Sequence, residues 1–146
     1  MTEINPKKNI GKRIFAGIFD YLIIYTFFFI FVYSYGEPNE DGGYTVNRAL
    51  ALIPILFWAI MTVGIEQLFG ATLGNYAVDL KPISIIGNLE KPSFGQSLKR
   101  HLLDPIDMFF FGIVGIITIK NSSKNQRLGD QWANTIVVNS KKIKTE

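Results

Sequence analysis

The chain has no cysteine and a single histidine, His101, in 146 residues. The first absence excludes disulfides and thiolate metal ligation, and the second excludes His-rich metal boxes. Charge is sparse, with 15 basic and 12 acidic residues, and the small basic excess is weak evidence for an anionic partner. Internal repeats, low-complexity tracts, phosphate-cradling Gly loops and nucleophile triads are also lacking. No enzyme activity, cofactor, metal or nucleic-acid partner is expected on that basis. Apolar residues, by contrast, make up 48% of the chain, and its 12 Phe are bunched.

Two long apolar runs account for much of that excess. Ile14 to Tyr35 would form a helix of about 33 Å, enough for a hydrocarbon core of about 30 Å. Asp20 is its one charged residue. A signal peptide is disfavoured, because the run is too long and no small-x-small cleavage site follows. Ala49 to Phe69 is a second span of similar length, with Glu66 near its end. Lys7, Lys8, Lys12 and Arg13 precede the first span, and Lys81, Lys91, Lys99 and Arg100 follow the second. The loop between them is acidic, with Glu37, Glu40 and Asp41 beside a Gly42-Gly43 turn signal. The bias of Lys and Arg therefore predicts a cytoplasmic amino terminus and an outward-facing loop.

The second half mixes signals. Around Val78 to Ile83 the sequence alternates, and Gly87-Asn88 signals a turn, which predicts a short cytoplasmic strand or hairpin. Pro82 requires an edge or bulge position there. Ser93 and Gln96 form a capping-box pattern that opens a basic amphipathic helix from about Phe94. Asp104-Pro105-Ile106-Asp107 then reads as a break followed by a capped helix start. The apolar piece at about 105–119 is short for a span, about 22 Å as helix. Full crossing would put Lys120, Lys124, Arg127, Lys141, Lys142 and Lys144 outside, against the charge rule. A re-entrant or in-plane element bending at Gly112 and Gly115 is favoured, with a cytoplasmic carboxyl terminus. A third span remains the alternative. Thr135 to Val138 reads as a strand able to pair with the Ala77 to Ile85 region, and residues 139–146 as a basic tail.

Three motifs carry a resemblance. Arg13-Ile-Phe-Ala16-Gly-Ile-Phe-Asp20 enters the first span, and Gly70-Ala-Thr72-Leu-Gly74 follows the second. Gln126-Arg127-Leu-Gly-Asp130 then leads into Ala133-Asn134-Thr135-Ile-Val-Val. In this order and spacing the chain resembles the RDD family, named for one Arg and two Asp, over nearly its whole length. Asn75 stands where the family usually has Lys, and Asn134 where it typically has Gly. The resemblance implies a single RDD-type membrane domain over 1–146, bacterial and located in the cell membrane. It also implies transport of an ion or small solute, cation/proton exchange included.

The fold class expected is an all-α membrane protein: two transmembrane helices, a broken or re-entrant third apolar segment, and a small cytoplasmic β element. Arg13 and Asp20 share a helix face, about 10 Å apart along the axis. A carboxylate at the depth of Asp20 costs about 2.5–3.5 kcal/mol on insertion scales, so it should face protein or water, within reach of a basic side chain. Arg13, Asp20, Glu66, Arg100, Arg127 and Asp130 are the candidate transport or charge-cluster residues, with Asp104 and Asp107 read as helix caps. A loose echo of intramembrane aspartic proteases fails, because Asp130 is not within an apolar helix. The first function expected is transport of a small cation, proton or solute through an oligomer. The alternative is a non-transporting module that assembles with partner membrane proteins or anionic lipids through its basic face.

Overall fold

The computed structural model describes residues 6–87 and 89–143. Asn88 of the Gly87-Asn88 turn and Lys144 of the tail lie outside the described residues.

Helix α1 runs Ile10–Tyr35, so it begins a turn earlier than the apolar run and takes Lys12 and Arg13 into its first turn. Its buried residues are Ala16, Asp20, Ile24 and Phe31, a single stripe at helical spacing. The chain returns through a small hairpin, β1 (Glu37–Pro38) against β2 (Tyr44–Thr45), that the sequence reading took as loop. The second apolar helix covers Leu52–Phe69 and is not regular. It divides into α2 (Leu52–Ala59), a π-helical turn (Ile60–Gly64) and α3 (Ile65–Phe69). At the turn the Thr62 hydroxyl donates to the Trp58 carbonyl at 2.8 Å. An i→i+5 turn shifts the helix face, and Thr62, Val63 and Glu66 are the residues buried beyond α2. Phe27 stacks on Phe57 at 3.9 Å between centroids and joins the two long helices.

Both long helices meet the length and hydropathy of membrane spans, yet only 22% and 17% of their apolar windows are buried. The core helix of a soluble protein would bury most of such a stretch.

The rest of the chain packs at the end of this helix pair that carries Ile10 and Phe69. Helix α4 (Leu73–Ala77) starts at Thr72, whose hydroxyl accepts from the Asn75 amide. Strand β3 (Leu80–Ser84) pairs antiparallel with β4 (Thr135–Asn139), with Leu80 opposite Asn139 and Ser84 opposite Thr135. The expected pairing of these segments is present, and Pro82 sits in a two-stranded sheet where both strands are edges. Ile83, Ile136 and Val138 form its apolar core.

Helix α5 (Phe94–Leu102) opens with the expected capping box, Ser93 and Gln96 each bonding the other's backbone. The Gln96 amide also donates to Ser84 Oγ and the Ala133 carbonyl, both at 2.9 Å, tying the helix to the sheet. The break at Asp104 is real: α6 (Asp104–Asp107) is one turn, and α7 (Phe109–Asn121) follows. Positive φ at Phe110 and Gly112 bends the start of α7. This region is inside out relative to a soluble protein. Leu102, Ile106, Phe109, Ile113 and Ile117 are exposed, whereas Ser97, Arg100, His101, Asp104 and Asp107 are buried. A short helix, α8 (Leu128–Trp132), precedes β4, and α9 (Ser140–Ile143) follows it.

Candidate functional site

The buried charges meet where the base of the helix pair joins α5, α6 and α8. Arg100 is fully buried on α5. Its Nη1 donates to Glu66 Oε2 at 2.5 Å and its Nε to Asp130 Oδ1 at 2.9 Å. It thereby links the second long helix to α8. Arg13 reaches in from α1, donating to Asp130 Oδ2 at 3.2 Å. Arg127 donates to Asp104 Oδ1 at 3.2 Å and lies 3.8 Å from Asp130 Oδ2. Asp130 therefore faces three guanidinium groups from three parts of the chain. Burial disfavours its charge, but Arg127, Arg100 and Arg13 outweigh that and hold it well below the usual carboxylate range. By the same balance Arg127 is raised against burial by Asp130, Asp104 and Asp107. Arg100 is likewise raised by Glu66 and Asp130.

Two tight backbone contacts explain glycines in the motifs. A Cβ on Gly74 would fall on the Ala16 carbonyl of α1. A Cβ on Gly129 would lie 2.5 Å from the Arg100 carbonyl of α5. Asn134, where the resemblance has Gly, adopts φ 53°, and Asn is the side chain that best tolerates this left-handed region.

Asp20 is buried, facing protein as expected, but not with the partner expected. Its Oδ1 accepts the Gly74 amide at 2.7 Å, and Thr72 supplies a side-chain hydrogen bond. No basic side chain pairs with it among the described ion pairs. Arg13, two turns earlier, is drawn to Asp130 and also donates to the Val137 carbonyl. Asp20 thus holds α4 to α1 from the helix side.

Asp104 and Asp107 are corrections. Neither caps its own helix. Asp104 takes Arg127, His101 Nδ1 at 2.8 Å and the Tyr21 hydroxyl at 2.9 Å. Asp107 accepts the amides of Leu128 and Gly129 at 3.1 and 3.0 Å, capping α8 instead. Burial favours tertiary donors over a local cap that water could replace. Burial also pushes Asp107 up, and Arg127 and those amides offset this only in part.

Sequence reasoning missed His101, Tyr21 and Ser97. His101 Nε2 lies 3.3 Å from Glu66 Oε2, and Ser97 Oγ donates to Glu66 Oε1 at 2.6 Å. The signal for His101 was its place beside Arg100 and three residues before Asp104, one turn of helix.

Beside this network lies a cavity of about 80 Å³. A polar-walled space of this size is roomy enough for water. Asp20, Thr72, Asn75 and Tyr21 contribute to its wall together with Arg13, Arg100, His101, Asp104, Asp107 and Arg127 of the network, with Ile14 and Ile116 on apolar sides. Glu66 does not line it. Among the described residues no group of three or more His, Asp or Glu is placed to hold a metal.

A model of the RDD family matches residues 8–134, most of the chain. No curated protein and no solved structure matches it.

Proposed function

The chain belongs to the RDD family, and on that premise we propose that it moves a proton, small cation or small solute past Asp20 as one copy in an oligomer. Family membership and two apolar helices suggest a membrane protein. The observation that carries the proposal is the state of Asp20. It lines a water-sized cavity and has no described ion pair, so its counter-charge can be exchangeable. Glu66, also a transport candidate, is saturated by Arg100, His101 and Ser97. We assign it, with Arg13, Arg100, Arg127 and Asp130, to the scaffold that fixes the cavity.

The same proposal includes a topology. Strand β3 follows the second span after the short helix α4, and β4 is paired to it. Arg13 at the entrance of α1 is paired to Asp130. Both links favour α7 returning to the side it left. Its exposed Phe109, Ile113 and Ile117 favour contact with lipid. Together they support a re-entrant or in-plane α6–α7, with the basic base of the molecule in the cytoplasm.

A non-transporting module is the second reading. Lys99 lies over the half-exposed Trp132 ring at 5.8 Å, a pair suited to a membrane interface. Flux in proteoliposomes decides between the two. Wild-type protein is expected to carry proton or cation flux, and Asp20→Asn to reduce it to the level of empty vesicles. Equal flux in the two proteins contradicts a role for Asp20, and no flux in either favours the second reading.

A further inference from the structure

We infer that His101 is a buried proton-binding site, occupied in the resting protein, that clasps α5 between the second long helix and α6. His101 shares a cavity wall with Asp20, but the inference does not depend on transport.

The geometry of the ring carries this inference. A neutral imidazole has one N–H and one lone pair. Here Nδ1 faces Asp104 Oδ2 at 2.8 Å and Nε2 faces Glu66 Oε2 at 3.3 Å. Either neutral tautomer sets a lone pair against a carboxylate oxygen, in a site where the His101 side chain is only 4% exposed. An imidazolium donates to both. The extra proton has no better place on the two carboxylates, because each already faces a guanidinium: Glu66 that of Arg100, Asp104 that of Arg127.

The surrounding charges agree. In the described ion pairs Arg13, Arg100 and Arg127 stand against Glu66, Asp104 and Asp130, three against three. Asp20 and Asp107 remain as further buried carboxyl groups, and Asp20 on α1 is within electrostatic reach of the ring. A positive His101 supplies a fourth cation against them. Tyr21 donates to the same Asp104 oxygen as His101, so it leaves the negative charge of that carboxylate in place. Burial alone would strip the proton, but Asp104 and Glu66 outweigh burial and raise His101 to about 9. A raised folded-state value gives stability that is full below the unfolded value of 6.5. That contribution is lost as pH rises through about 9.

Because His101 is the only histidine, its imidazole nitrogens can be observed alone. The test is nitrogen NMR of the full chain in detergent with isotope-labelled His. Two protonated ring nitrogens are expected at neutral pH, with loss of one near about 9. In Asp104→Asn the loss should move down toward 6.5. A single neutral tautomer in the wild type at neutral pH overturns the inference. The wild-type spectrum decides even if the variant does not fold.

Discussion

Arg100→Met is expected to destabilise the protein by about 3–5 kcal/mol, the cost of removing one partner from a buried ion pair. Arg100 is fully buried and holds both Glu66 and Asp130. Met keeps much of the aliphatic volume, so the loss reports the charge more than the packing. Two carboxylates then face each other's field with one guanidinium fewer. Thermal unfolding in detergent measures the effect. Glu66→Gln combined with Arg100→Met should recover part of the loss, because the double variant leaves one fewer uncompensated charge. A single variant as stable as wild type would mean that the cluster is solvated.

Gly74→Ala is the second large effect. The added Cβ falls on the backbone of Ala16, and a backbone atom cannot swing aside as a side chain would. Overpacking of this kind typically costs about 1–3 kcal/mol, occasionally more. The displacement also pulls the Gly74 amide from Asp20, so the variant should lose both stability and any flux that depends on Asp20. Gly70→Ala is a contrasting control: its Cβ meets nothing within 4 Å, and the cost there comes from φ 79° alone. If the two variants behaved alike, the close approach of α4 to α1 would not be the reason for glycine at 74.

The parts of this architecture that were legible in the sequence are those set by local chemistry. Length and hydropathy located both long helices to within a turn. Ser93 and Gln96 announced the start of α5, and Pro105 the break before α6. Alternation around Val78 to Ile83 and the short run Thr135 to Val138 marked the two strands that pair. What stayed hidden depends on distant partners. Asp104 and Asp107 look like helix caps when only neighbours are counted, yet Arg127, Tyr21 and the α8 amides reach them from elsewhere in the chain. The burial of Asp20 followed from the cost of a charge in an apolar run, but its partner did not, because the Gly74 amide has no sequence signature as a donor. Glu66 looked equivalent to Asp20 by depth, and only the structure separates the saturated carboxylate from the one beside the cavity. The π turn at Ile60–Gly64, which precedes Glu66 on the buried face, has no signal in the apolar pattern.

The most direct test of the account is the sidedness of the chain, because the charge cluster joins α1, α5 and α8 only if the segment Phe109–Asn121 does not cross the bilayer. The chain has no native cysteine, so single cysteines can be placed at the exposed Glu40 and Lys124 and challenged with an impermeant thiol reagent. Labelling of Glu40→Cys on intact cells, with Lys124→Cys labelled only after permeabilisation, is the predicted result. Labelling of Lys124→Cys on intact cells would contradict it and make α7 a third span.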